Sequence, residues 1–356
     1  MKTDNGESRS LWMRVPDVRA ERGLAADVDT DVCIVGAGIA GMNTAYLLSR
    51  QKRRVVVLDD GPIAGGETCR TTAHLVNFPD GWFTEIERLH GRGGARLAAE
   101  SHTAAIDRIE EIVRREQIRC GFRRVDGYLF TEPGDSTEDL EKELRAARAA
   151  GLAGVELVER VPLDSFESGA ALRFPRQAQF HVVEYLKGLA RAIEGNGGRI
   201  YRDTHADEIE GVTDTSARVK TTGGNVHARA VVVATNSPVN DRLVIHTKQA
   251  PYRTYVIGAR VRRGAVPSLL LWDTADPYHY VRLQPIDRMH DLLIVGGRDR
   301  VVLELNQPAL QLIPAEKQLV VVPGATHLFE EPGTLEEVAR LATEWFSRHL
   351  GADGDS

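Results

Sequence analysis

The chain has 356 residues, 42% hydrophobic and 27% charged, with a formal net charge of −6. That is ordinary globular material, enough for two domains or one large interleaved pair, and it lacks the basic footprint nucleic acid requires. No apolar run nears the ~20 residues that span a bilayer, the first 30 residues hold no signal-peptide core, and three cysteines without metal spacing point to a reducing, cytoplasmic compartment.

Residues 1–30 read as a polar lead-in, with Leu11-Trp12 the one anchor expected to pack. Val32-Cys33-Ile34-Val35 then runs apolar without alternation, as a strand buried on both faces does. It leads into Gly36-Ala37-Gly38-Ile39-Ala40-Gly41, a Gly-x-Gly-x-x-Gly. Gly36 allows a tight turn, Gly38 lets backbone approach a pyrophosphate, and Gly41 lets the following helix, read over 42–49, pack close. The N–H groups and positive dipole end of that helix then face phosphates. A second buried strand, Val55-Val56-Val57-Leu58, ends in Asp59, 59 − 36 = 23 residues after the first glycine. An acid at that distance takes ribose hydroxyls. Strand, turn, helix and acid together predict a dinucleotide site.

The stretch 61–74, rich in glycine and small residues with one arginine, makes a loop able to lie along a flat ligand. Residues 84–117 carry helical spacing at Ala98, Ala105, Ile109 and Ile112, broken into two helices at Gly91-Arg92-Gly93-Gly94. A short strand at 128–130 follows, then a charged helix over 136–150 entered through Ser136 or Thr137. An amphipathic helix over 181–194 is stopped by Gly195-Asn196-Gly197-Gly198. Strands are expected near 199–203, 206–210, 217–221 and 226–234, the last a buried run ending in Ala234-Thr235-Asn236. From 252 to 297 only strands are read (252–262, 269–273, 278–283 and 291–296), which predicts a second, largely antiparallel sheet. Beyond Arg298 the pattern returns to helix, strand, loop and helix.

Several of these residues recur together in one family. They are Ser10-Leu11-Trp12, the Gly36–Gly41 turn, Asp59 and Gly66-Glu67-Thr68-x-Arg70-Thr71-Thr72-Ala73-His74. Further on stand Ala178-Gln179-Phe180-His181, Val233-Ala234-Thr235-Asn236 and Trp272-Asp273-x-x-Asp276-Pro277-Tyr278-His279-Tyr280-Val281-Arg282. Over about 10–297 the chain resembles the flavin-dependent amine and amino-acid oxidases of the D-amino-acid-oxidase superfamily, near glycine oxidase and gamma-glutamylputrescine oxidase. The resemblance implies an α/β fold: a Rossmann-like FAD-binding domain of 31–80 and 181–240, interleaved with a mostly antiparallel substrate sheet of 81–180 and 241–297. It implies FAD, held by Gly36, Gly38, Ile39, Ala40, Gly41, Asp59, Thr68, Arg70, Thr71, Thr72 and Thr235, and no metal. The reaction it implies is oxidation of a CH–NH bond in a small amine or amino acid by hydride transfer to flavin N5. A substrate carboxylate is best held by a bidentate arginine, for which Arg253 and Arg282 are candidates. Tyr252, Tyr255, Tyr278 and Tyr280 are candidates to shape the pocket, and strand alternation puts His279 opposite Tyr278 and Tyr280.

The chain departs from that pattern at Val182, where relatives have proline, and after 297, where their glycine-rich turn and flavin-facing helix are expected. No Cys-x-His or Cys-x-x-His pair of a Rieske domain occurs. Residues 292–350 instead resemble the end of a dienelactone-hydrolase-type α/β hydrolase, with Asp299 and His327 in the places of its acid and base. That likeness implies a short α/β tail over 298–356. No Gly-x-Ser-x-Gly nucleophile elbow accompanies them, so hydrolysis is not expected. A strand over 318–322 and a helix from Thr334 are read here. Thr334 and Glu337 form a capping box and Glu336 adds negative charge, both unsuited to a reduced flavin. The alternative to an amine-oxidising flavoprotein is therefore a fused or truncated chain that binds FAD weakly or not at all and catalyses nothing.

Overall fold

The structure, a computed structural model, describes residues 10–14, 21–163, 166–213, 216–236, 255–275 and 278–297. They divide into two compact units, 10–236 with 267–271 and 255–266 with 272–297.

In the larger unit, β1 (Glu21–Arg22), β2 (Val28–Val35), α1 (Ile39–Arg50) and β3 (Val55–Leu58) come first. Then follow β4 (His74–Leu75), α2 (Phe83–Arg115), β5 (Arg123–Phe130), α3 (Glu138–Ala149), β6 (Glu156–Val158) and β7 (Ala171–Gln179). The unit continues with α4 (Val182–Gly195), β8 (Arg199–Arg202), β9 (Ala206–Thr213), β10 (Ser216–Thr221) and β11 (Gly224–Val233). Single 3-10 turns stand at Leu11–Arg14 and Glu67–Arg70.

Seven strands form one sheet in the order β1-β8-β3-β2-β11-β10-β9. Strands β1 to β11 along that path run parallel, and β10 and β9 turn antiparallel. The unalternating apolar runs of β2 and β3 follow from burial of both sheet faces, whereas the run expected to be buried in β11 is not, since Ala230 and Val233 are exposed. Ile34, Val55 and Val57 pack with Tyr46 of α1 and Leu186 and Leu189 of α4. Cys33, Val35, Val56 and Leu58 pack on the other face with Tyr201, Val219 and Val226. Because α1 returns the chain to β3 on one side while β11 lies on the other, the end of β2 is a topological switch point.

The other strands of this unit centre on β7, antiparallel to β4, β5 and β6. The sequence patterns do not predict β7, which carries Pro175 where the register with β5 shifts between Val125 and Gly127. A proline supplies no ladder N–H and is tolerated at such an irregularity. In α2, Gly91 (φ 70, ψ 175) breaks the helix where the glycines predict it. His181 caps α4, accepting at Nδ1 from Glu184 N over 3.3 Å.

In the smaller unit, β15 (His290–Gly297) pairs antiparallel with β12 (Tyr255–Arg262) and with β14 (Tyr280–Pro285). Strand β13 (Leu269–Asp273) has its first three residues in the larger unit and its last two in the smaller. Strand β14 begins at Tyr280 and not at 278, which corrects the expected alternation. Tyr278 is exposed, while His279 and Tyr280 are both buried. The cause is Asp273, which accepts from His279 N (2.8 Å) and meets His279 Nδ1 at 2.6 Å, turning that ring inward before the strand starts. Tyr252, Arg253, Asp299, His327 and the tail reading with Thr334, Glu336 and Glu337 lie outside the described residues. Among the described residues no helix is long and apolar enough to cross a membrane.

Candidate functional site

The glycine turn sits at the end of β2. Gly36 has φ +110, and a Cβ on it would lie 2.7 Å from Ala234 O, at the end of β11. There Ala234 N donates to Val35 O over 2.8 Å, and Thr235 N lies within 3.3 Å of the same Cβ position. Gly41 packs α1 against the turn so closely that a Cβ would fall 1.9 Å from Gly36 O. Gly38 differs. It is extended (φ −75, ψ −175) as the residue before α1, and its Cβ would meet only the Thr68 hydroxyl, at 3.2 Å. The first amides of α1, on Ile39, Ala40 and Gly41, have no intrahelical acceptor, since the first helical bond runs from Met42 N to Gly38 O. Ile39 N donates to Thr68 Oγ1 over 3.1 Å.

Asp59 lies beside the turn. Its Oδ2 accepts from Ala37 N (2.6 Å) and its Oδ1 from Gly61 N (3.0 Å). Burial pushes its carboxyl above the ordinary range, against the pull of those two N–H groups. With one bond on each oxygen, the carboxylate keeps acceptor capacity for two hydroxyls. Bare backbone at Gly38, helix amides without an intrahelical acceptor and a carboxylate with spare acceptors suit a pyrophosphate with an adjoining ribose.

The rest of the loop behaves differently. Arg70 is exposed and donates from Nη1 to Gly65 O (3.2 Å) and Gly66 O (2.7 Å), closing its own loop. Thr71 Oγ1 accepts from Ala73 N over 3.2 Å, and Thr72 is half-buried beside it. His74 sits in β4 opposite Gln179. The structure thus gathers Gly36, Gly38, Ile39, Ala40, Gly41, Asp59, Thr68 and Thr235 at one end of the sheet.

Within the smaller unit, Arg282 and Tyr280 stand two residues apart on β14, both buried. Arg282 Nη2 donates to Gln284 Oε1 over 2.8 Å. The Tyr280 ring covers Gly296, where a Cβ would come 2.3 Å from its Cζ. Sequence reasoning missed Asp273 as the partner of His279 and Gln284 as the partner of Arg282. The second had a usable signal, since i and i+2 share a strand face. Among the described residues no cluster of His, Cys, Asp or Glu is arranged to hold a metal ion.

A mostly parallel sheet whose central strand opens through a glycine turn into a helix defines a dinucleotide-binding α/β protein. The family described as DAO, FAD dependent oxidoreductase, matches residues 31–355; the chain belongs to that family, and its cofactor is FAD. It is 30% identical to gamma-glutamylputrescine oxidoreductase of Escherichia coli over 225 residues, 62% of this chain and 52% of that protein. Over 65 residues, 18% of this chain and 15% of the other, it is 71% identical to a Mycobacterium tuberculosis protein described as a putative phosphoribosyl transferase. Glycine oxidase from Geobacillus kaustophilus shares the fold, with a TM-score of 0.59 at 21% identity over 81% of this chain and 79% of that one. The chain spans about half or less of the length of these curated relatives. The family match continues through residues 298–355, where the sequence alone leads one to expect a hydrolase-like tail.

Proposed function

We propose that the chain oxidises the CH–NH bond of a small amine or amino acid, with FAD held at the Gly36–Gly41 turn. The observation that carries this reading is the turn itself, side-chain-free at Gly38 and bordered by Asp59 and Thr68, in a chain of the FAD-dependent oxidoreductase family. When bound, FAD supplies the hydride acceptor. The α1 amides and the Thr68 hydroxyl hold the pyrophosphate, and Asp59 accepts the ribose hydroxyls. Arg70, bonded to its own loop, acts by shaping that loop, and Thr71 and Thr72 carry the loop onward beside the cofactor. Arg282, with Tyr280 beside it, is the group chosen to orient a substrate carboxylate, because a buried guanidinium binds carboxylate strongly and with fixed geometry. Relatives and fold neighbours named for gamma-glutamylputrescine and glycine support the substrate class.

The test is anaerobic. The purified chain is loaded with FAD and mixed in turn with glycine, a simple secondary amine and gamma-glutamylputrescine. Bleaching of the visible flavin bands by at least one of them is expected; no bleaching despite stoichiometric FAD would overturn the reading. Asp59→Asn is expected to weaken FAD binding by roughly 1–3 kcal/mol, the worth of a charged hydrogen bond. Affinity in the parent should also fall on acidification through the raised Asp59 pKa, because the protonated carboxyl loses acceptor capacity. A titration that finds Asp59→Asn equal to the parent removes Asp59 from the ribose site.

A further inference from the structure

We infer that the segment Ser10–Arg14 is a clamp on the FAD-binding loop, with Ser10 and Trp12 as positioning residues for the cofactor site. The inference rests on the proposed FAD reading of the Gly36–Gly41 turn and Thr68. It starts from two bonds across 59 residues of sequence. Trp12 Nε1 donates to Thr71 O over 2.6 Å, and the Ser10 hydroxyl donates to Cys69 O. Met13 N bonds back to Ser10 O over 3.2 Å, so both donors project from one turn.

The anchor is firm. Trp12 is 3% exposed, and its ring meets the edge of His181 at 4.7 Å between centroids. His181 is itself fixed as the cap of α4, with its own N–H bonded to Cys120 O over 2.7 Å. The clamped loop, by contrast, bends sharply at residues unsuited to bending. Ala64 and Ala73, at its two ends, have φ of 65° and 56°. Non-glycine residues keep such angles only when surrounding contacts impose them.

The clamp grips main-chain carbonyls and so fixes where the loop runs, whatever its side chains. The gripped carbonyl of Cys69 follows directly after Thr68, whose hydroxyl receives the Ile39 amide at the start of α1. Ser10 and Trp12 therefore set the height of the Thr68 hydroxyl above the helix end that receives the pyrophosphate. A loop held in its binding geometry beforehand spares the ligand the cost of ordering it. Linkage makes the effect reciprocal: FAD that favours the clamped loop must also tighten the clamp.

The test uses the full chain with Trp12→Phe, Ser10→Ala and Ser10→Thr. Trp12→Phe keeps an aromatic ring against His181 and deletes only the N–H donor. FAD affinity is read by titration, and hydrogen exchange of the amides in 66–73 is read in the FAD-free chain, beside thermal unfolding. Trp12→Phe and Ser10→Ala are each expected to weaken FAD binding roughly three- to tenfold, the scale of one ordinary hydrogen bond. Exchange in 66–73 should speed up more than elsewhere, Ser10→Thr should restore both readouts, and FAD should slow exchange in 10–14 of the parent. A lowered unfolding temperature with unchanged FAD affinity and unchanged loop exchange would show Trp12 to be a fold anchor only, and overturns the inference. Gly38→Val separates the two levels. If it abolishes FAD binding while the Ser10 and Trp12 variants bind like the parent, the clamp alone fails. If Gly38→Val binds FAD like the parent, the cofactor-site reading fails and the clamp with it.

Discussion

Gly38→Val is expected to give a folded protein that retains no FAD, whereas Gly41→Val is expected to lose the folded state of the nucleotide-binding half. The two glycines stand three residues apart in one motif, yet different neighbours confine them. A Cβ at Gly41 would lie 1.9 Å from Gly36 O and 3.1 Å from Gly36 C, both main-chain atoms of the turn. Relief requires α1 to lift off β2 and the packing of Met42, Ala45 and Tyr46 to open. That cost is of the order of a domain's whole stability, about 5–15 kcal/mol. At Gly38 the backbone is in a region open to valine, and the Cβ meets only a side-chain hydroxyl at 3.2 Å. Displacing that hydroxyl from Ile39 N costs about 1 kcal/mol, one hydrogen bond. The valine methyls, however, fill the space over the amides of Ile39, Ala40 and Gly41, where the pyrophosphate has to sit. Circular dichroism melts beside visible absorbance after gel filtration decide the matter. A yellow Gly38→Val protein would remove the turn from the cofactor site, and a Gly41→Val protein melting like the parent would refute the close packing of α1.

Glu143→Ala is expected to destabilise the larger unit by about 3–5 kcal/mol without touching the nucleotide site. Helix α2 begins after Trp82, which has φ 53 and no capping side-chain bond of its own. The cap comes from α3: Glu143 Oε1 accepts from Phe83 N over 2.6 Å and Oε2 from Thr84 N over 3.1 Å, in full burial. Removing the carboxylate strands two amides at roughly 1–3 kcal/mol each and leaves a void. Burial holds the Glu143 pKa above its ordinary 4.5, with the two amides opposing. A folded-state pKa raised above the unfolded one means that folding takes up a proton in that window. The stability linked to it is complete below 4.5 and is lost as pH rises through the raised value. Glu143→Gln cannot titrate, so the stability difference between parent and Gln variant should grow on acidification through that window. Urea unfolding at several pH values measures it; a difference independent of pH would show that Glu143 titrates alike in both states.

The sequence by itself determined which segments are buried on two faces and where backbone must come bare. Val32–Val35 and Val55–Leu58 lack alternation because helices cover one side of their sheet and strand-borne side chains fill the other. Gly36 and Gly41 were legible because no residue with a Cβ fits where Ala234 O and Gly36 O stand, and the break at Gly91 because its φ is positive. Asp59 was legible through its spacing. Each of these is a local demand on one residue type, and it leaves a local mark. Tertiary structure alone decided which distant groups meet: Glu143 at the start of α2, Trp12 on the carbonyl of Thr71, Asp273 turning His279 inward ahead of β14, and Arg70 folded onto its own loop. It also made a strand of β7, whose Pro175 and interspersed Arg173, Arg176, Gln177 and Gln179 hide the pattern until β4, β5 and β6 supply partners. The reason is physical. A glutamate, a tryptophan or an arginine has the same donors and acceptors wherever it stands, and only closure of the chain over tens of residues selects which of them it satisfies.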